Sequence, residues 1–493
     1  MNPFNQWRIS FLLLFNAIAD TFWRTNKIFM AKRFSIMVGG VLILPLLLAI
    51  SCSRKPPVTH ADRLKWNQST LESAYNSVGQ KNSKWDADAT DALKEFARLR
   101  TAAEDEVEIL SELVGDAAER AVSVGCDDAM IKYLAARYGS LTKAKKFSER
   151  QERYRHAADS LGQSSYPPIR KFFAHADAAE ILWQQRDTNF WPVVRDFRTQ
   201  AVADLNSALS DQALPEMDAY QAAETLFQLM RRNVYELTNA YNTISATLAR
   251  LPEKATAASL IKARFHITYA WRARGNGTAD QVTEEGWRLF HERLDVAEAA
   301  LNRAWSSDPY DEEIPILMLT VMEGQSKPRA EMEVWFQRAM KREPNSYAAC
   351  RGKLHFLLPQ WYGSREDMVA FGRQCVAATN WNGRVPLILV DAHADFSRTL
   401  SADERSDYWL RPDVWPDIQS AYEKFARLHP EATRFHYPYA WYAFRCGQWQ
   451  EFLEQTKIIR ANDSPPRYNY FGGENEFTNL EAMAKERGAK SKP

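Results

Sequence analysis

Apolar residues recur at helical spacing through most of the chain. From Trp85, with Asp86 placed to cap, Ala89, Leu93, Phe96 and Ala97 fall on one face, and Val107, Leu110, Val114, Ala117 and Ala121 do the same in the next segment. Gly125 ends that segment, and Asp127 and Asp128 open another through Tyr133, Leu134 and Tyr138. Further helical runs are predicted around 144–160, 167–184, 195–210, 215–234 and 236–250. No spaced series of β-branched runs joined by Asn-Gly turns is present, so the expected fold class is all-α, without strands. Residues 61–254 read as a helical N-terminal region in which no firm repeat stands out.

The C-terminal half carries one spacing three times: Ala297, Leu301, Ala304, Pro309; Met332, Phe336, Ala339, Pro344; and Ile418, Tyr422, Phe425, Pro430. A small residue lets a partner helix approach, a bulky one fills the gap, and a proline that cannot continue the helix forces the turn. Ala440, Ala443 and Gly447 fit the small positions of a first helix, and Gln448 to Phe452 start its partner. This pattern resembles the tetratricopeptide repeat. The resemblance implies a TPR-like α-solenoid of antiparallel helix hairpins over 255–480, followed by a disordered tail at 481–493; ordinary hairpins of a non-repeating bundle are the alternative.

Tyr269-Ala-Trp-Arg-Ala-Arg-Gly-Asn-Gly, Val282-Thr-Glu-Glu-Gly-Trp-Arg-Leu-Phe, Pro359-Gln-Trp-Tyr-Gly-Ser and Leu389-Val-Asp-Ala-His are similar to an uncharacterised, planctomycete-type bacterial family of TPR-like proteins with a domain of unknown function. That likeness implies an architecture and no catalytic residues.

Near the N-terminus, Lys32 and Arg33 precede an apolar run that ends at Ala49-Ile50-Ser51-Cys52. The run is short for a membrane span of ~20 residues and has the layout of a signal peptide. Ala49 to Cys52 resembles a lipobox, with Ala49 where leucine is usual; this implies lipidation of Cys52 after removal of residues 30–51. An uncleaved anchor helix is the other reading. Residues 52–60, polar and proline-bearing, are expected to act as a tether. Residues 1–29 sit awkwardly ahead of such a signal and are read as a gene-start extension, with translation beginning at Met30, or else as a short interfacial or spanning helix.

With 63 Lys+Arg against 62 Asp+Glu, the chain shows no nucleic-acid footprint. Cys126, Cys350, Cys375 and Cys446 are widely spaced and no Cys-x-x-Cys pair occurs, which disfavours a metal site. Cys350 and Cys375 flank a turn at similar distances, leaving two readings open: a disulfide in an oxidising compartment, or buried free thiols. Asp391-Ala-His393-Ala-Asp395 resembles the metal motif of arginase-like ureohydrolases, but the family's companion motifs are missing. On a helix, Asp391 and Asp395 would share one face and His393 another, so no metal and no cofactor are expected. Gly-x-Ser-x-Gly and phosphate-loop motifs are also lacking.

The expectation is therefore a lipid-anchored, extracytoplasmic, non-enzymatic scaffold. Its partners would be the membrane, through the anchor, and an unidentified protein or peptide held in a groove by Arg351, His355, Tyr437 and Trp441, residue types favoured in binding hot spots. Two alternatives stand beside it: an envelope enzyme acting on glycan in a Trp-lined helical cleft, and a cytoplasmic TPR-like scaffold.

Overall fold

A computed structural model describes residues 58–102, 106–139, 147–184, 188–309, 311–462 and 468–490. The gene-start extension, the signal segment, Cys52 and most of the tether lie outside the described residues. Among the described residues there are twenty-one α-helices and no strand. In chain order they are α1 (His60–Val78), α2 (Asp86–Leu99), α3 (Val107–Ser123), α4 (Ala129–Tyr138), α5 (Phe147–Gln163), α6 (Pro168–Trp183), α7 (Trp191–Leu209), α8 (Glu216–Met230), α9 (Val234–Leu248) and α10 (Ala255–Arg274). There follow α11 (Glu284–Ser307), α12 (Glu313–Gly324), α13 (Arg329–Arg342), α14 (Tyr347–Phe356), α15 (Arg365–Ala377), α16 (Ile388–Thr399), α17 (Ala402–Trp409), α18 (Trp415–Leu428), α19 (His436–Arg445), α20 (Trp449–Asn462) and α21 (Glu474–Lys490).

Short polar residues start many of these helices because their side chains satisfy backbone N–H groups that the first turn leaves open. Asp128 accepts from Met130 and Ile131, Ser346 from Ala349, and Ser401 forms a capping box with Glu404. At the other end, Pro309, Pro344 and Pro430 each follow a helix by two residues, after C-caps Asp308, Glu343 and His429. The small positions Ala297, Ala304 and Ala339 are sealed in the core with Leu301, Met332, Phe336 and Ile418.

Consecutive helices pair as hairpins, and the even-numbered ones also pack side by side: α6 on α8, α8 on α10, α10 on α12, α12 on α14, α14 on α16, and α16 on α18. This double neighbour relation makes an α-solenoid with one inner row of helices. Close approach depends on missing side chains. A Cβ on Gly372 of α15 would lie 2.6 Å from the Leu389 Cα of α16.

Packing continues across the boundary expected between residues 254 and 255. Lys254 is buried and its ammonium donates to the Leu214 carbonyl at 2.8 Å, while Glu216 accepts from the backbone N–H of Ala257. Residues 57–493 form one compact unit, so the hairpin array runs straight through that point.

Candidate functional site

Helix α14 lies in the inner row, and its periodicity lines up Tyr347, Arg351 and His355 at intervals of four residues. Neighbouring inner helices supply partners for each. Tyr347 donates its hydroxyl to Asp391 of α16, and Arg351 donates to Asp395 at 2.7 Å and lies 3.7 Å from Asp391. His355 Nδ1 lies 2.6 Å from Glu323 at the end of α12. Glu323 is buried, whereas His355 keeps 48% of its side chain exposed, Arg351 31% and Asp391 27%. The strip is thus built on closed carboxylates and offers half-open cationic and aromatic groups.

Burial pushes the Asp391 carboxyl up from the ordinary carboxylate range, against the pull of Arg351 and the Tyr347 hydrogen bond. Burial, with Asp391 beside it, also raises the Tyr347 phenol. The carboxyl therefore carries a desolvation cost that the Tyr347 hydroxyl and the nearby Arg351 charge do not cancel.

Beyond His355 the strip meets an aromatic cluster. The guanidinium carbon of Arg274 sits 5.7, 5.5 and 5.6 Å from the ring centres of Trp271, Trp287 and Trp361, and its N–H groups donate to the carbonyls of Gly275 and Gly277. Gly275 takes a left-handed φ of 75°, which lets the chain turn back over Arg274. Three of the four family-like segments read from the sequence converge here. The fourth supplies Asp391.

Asp391 and Asp395 do share a face of α16, toward Arg351, while His393 turns to the other side. His393 is fully buried, with Nδ1 2.7 Å from the Tyr408 hydroxyl and Nε2 3.0 Å from Asp417. Arg373 holds the same Asp417 carboxylate at 2.8 and 3.0 Å. Among the described residues no three His, Cys, Asp or Glu side chains are grouped to hold a metal ion.

The structure also exposes a repeat where none stood out in the sequence. Inner helices α6 and α16 both begin with proline, Pro168 and Pro386 (the latter in the turn just before Ile388), and both carry Ala-His-Ala-Asp six residues later, at 174–177 and 392–395. Helices opening on Trp-Pro follow both, Trp191 and Trp415. The preceding inner helices carry Tyr133-Leu-Ala-Ala-Arg137 and Tyr347-Ala-Ala-Cys-Arg351. Their contacts match: Tyr133 and Arg137 reach Asp177 at 2.8 and 3.0 Å, as Arg351 reaches Asp395. The histidines differ: His175 meets Asp204 of α7 through Nδ1 at 2.6 Å, whereas His393 meets Asp417 of α18 through Nε2, at a different position along the helix. Asp391 has Phe173 at its place in the first copy. The duplicated tetrapeptide was the available signal; a search confined to TPR spacing passes over it.

Two expected groove residues are corrected. Tyr437 is buried and packs 6.0 Å from the rings of Tyr470 and Phe471; Trp441 is half-buried, 6.5 Å from Phe471. The short turn at Tyr468–Phe471 and α21 cover that face of α19. Tyr442, one residue along, is the α19 side chain within electrostatic reach of Asp391 and Arg398. Of the two readings left open for Cys350 and Cys375, the structure has the free thiols. Cys350 and Cys375 are free, sealed thiols set beside each other between α14 and α15, and burial together with Cys350 pushes the Cys375 thiol far up.

Comparisons with known proteins add little. No family model and no curated protein matches the chain. Among solved structures it is similar to a circular tandem repeat protein with novel repeat topology and enhanced subunit contact surfaces, at 12% identity and a TM-score of 0.22, over 88% of this chain and 99% of that one. At that score the likeness carries no argument, and the fold rests on the helix pairing itself.

Proposed function

We propose that this protein is a lipid-anchored, extracytoplasmic scaffold that holds a peptide segment of another protein along the inner face of its solenoid. The observation that carries the reading is the strip Tyr347–Arg351–His355, whose half-open side chains are held in fixed positions by Asp391, Asp395 and Glu323. Preorganised groups of this kind lose little freedom on binding. Arginine and aromatic side chains that remain accessible beside buried anchors are the usual energetic centre of a protein interface. The lipobox-like Ala49-Ile50-Ser51-Cys52 supports the anchor, and the tether after Cys52 supports a body held off the membrane. A glycan-cleaving reading would call for paired free carboxylates beside open tryptophans. Asp395 is instead taken by Arg351 and Arg398, and the Trp271–Trp287–Trp361 cluster encloses an arginine.

Two measurements test the two halves separately. Membrane fractionation of a Cys52→Ala variant should move the protein into the soluble fraction; undiminished retention overturns the anchor. For the groove, a photo-crosslinking residue placed at 355 should capture a defined partner that one at the outward Arg288 does not, and Arg351→Ala should abolish the capture. Equal crosslinking from both positions refutes the strip as the docking face.

A further inference from the structure

Next to the strip lies a charge that the fold leaves unanswered. Arg445 of α19 is half-buried, its guanidinium carbon 4.6 Å from the ring centre of Trp409, and no carboxylate among the described residues pairs with it. Arg405 stands one turn before Trp409 on α17. It donates to the carbonyls of Ser397 and Leu400 at 3.0 and 3.1 Å, closing the end of α16, and it too has no carboxylate partner among the described residues. The Trp409 indole N–H, on a side chain 1% exposed, has no acceptor. Burial pushes the Arg445 guanidinium down from the usual arginine range, against the pull of Tyr442 and Cys446, and the positive field of Arg405 adds to the fall. A half-buried cation with a like charge beside it carries a desolvation cost that stacking on Trp409 offsets only in part. Tyr442, three residues earlier, lies within electrostatic reach of both this arginine and Asp391, so the site continues the strip.

We propose that Arg445, stacked on Trp409 and flanked by Arg405, is an anion-recognition point that takes a carboxylate from an acidic peptide segment of the partner. The planar guanidinium laid over an indole presents its N–H edge to a planar carboxylate as a fork. The chemistry assigns the partner's contacting segment a glutamate or aspartate at this end. The inference rests on the peptide-binding reading above and deepens it.

The test uses the purified full chain and fluorescein-labelled hexaglutamate, with hexaglutamine, inorganic phosphate and phosphatidylglycerol vesicles as comparison probes. Hexaglutamate should bind more tightly than hexaglutamine and weaken as salt rises. Arg445→Gln should weaken hexaglutamate at least tenfold while leaving the melting temperature unchanged or raised, and Arg445→Lys should recover part of the loss. Arg288→Gln, which removes an outward arginine paired with Glu285 and Glu292, should change nothing. Unchanged binding in Arg445→Gln, equal binding of the two peptides, or preference for phosphate or vesicles overturns the proposal. Equal, Arg351-dependent binding of both peptides would sink the anion point and spare the groove, whereas binding of neither would sink both.

Discussion

Replacing Asp417 by alanine should cost the second half of the solenoid about 3 kcal/mol. The carboxylate accepts from Arg373 at 2.8 and 3.0 Å and stands 3.0 Å from His393 Nε2, which is fully buried. A carboxylate can only accept, so His393 Nε2 donates to Asp417, while Nδ1 meets the Tyr408 hydroxyl, whose oxygen accepts from Arg365 at 3.4 Å. A hydrogen bond to a charged acceptor contributes roughly 1.5–3 kcal/mol, and a stranded buried donor costs about 1–3 kcal/mol. The two figures overlap because they describe one N–H. Arg373 is 55% exposed and adds no more than about 1 kcal/mol. Asparagine keeps an acceptor and should lose about half as much. Burial works to raise the Asp417 carboxyl, but His393 and Arg373 outweigh it and hold the group below its ordinary range. A carboxyl depressed in the folded state stabilises above its unfolded pKa of ~3.9 and loses that contribution as the pH falls through the folded value. Acid sensitivity below about pH 4 should therefore shrink in Asp417→Asn. Urea unfolding, read together with hydrogen exchange in α16–α18, is the suitable assay because hairpin arrays can open in parts. A loss under 1 kcal/mol for Asp417→Ala would mean the network is ornamental.

Two other outcomes test packing and titration. Gly372→Ala should cost about 1–3 kcal/mol by forcing α15 off α16, since the new Cβ would meet the Leu389 backbone at 2.6 Å; an unchanged urea midpoint would show that the helices separate freely. His266 is pushed down to about 4 by burial, so the unfolded chain takes up its proton first as the pH falls from ~6.5. Stability should decline from pH 6.5 toward 4, and His266→Gln should flatten that part of the profile; an identical slope in both proteins would remove His266 as its source.

The helical class and the hairpin boundaries were legible because they depend on local rules. Asp128 and the prolines at 309, 344 and 430 act within one or two turns, and the structure puts helix ends beside all of them; Asp86, expected as a cap, opens α2 as its first residue and accepts instead from the Tyr75 hydroxyl and the Asn82 N–H. The proposed strip was legible only in part. Arg351 and His355 follow from the register of one helix, but the face shown by α19 is decided by the turn at Tyr468–Phe471, which lies far along the chain and covers Tyr437. Arg445 shows no sign of its role in sequence. Its significance is the lack of a counter-charge, a property of tertiary neighbours that no spacing encodes.

The duplicated helices separate residues that hold the fold from residues it carries at a cost. In the first copy a single carboxylate, Asp177, serves both Tyr133 and Arg137. In the second the donors are split, Tyr347 to Asp391 and Arg351 to Asp395, and the additional carboxyl stands where the first copy has Phe173. A carboxyl raised above its unfolded pKa destabilises the folded chain at neutral pH, because its contribution is lost as the pH rises through the folded value. Asp391→Asn should thus leave stability at pH 7 unchanged or higher, with Tyr347 still able to donate. Asp177→Asn should lower it by about 1–2 kcal/mol, since one substitution weakens two bonds, one of them to the partly exposed Arg137. Partner capture should move the other way, falling with Asp391→Asn and surviving Asp177→Asn. Equal destabilisation by the two substitutions would place Asp391 among the clamps that hold the array together and remove the argument that it is kept for binding.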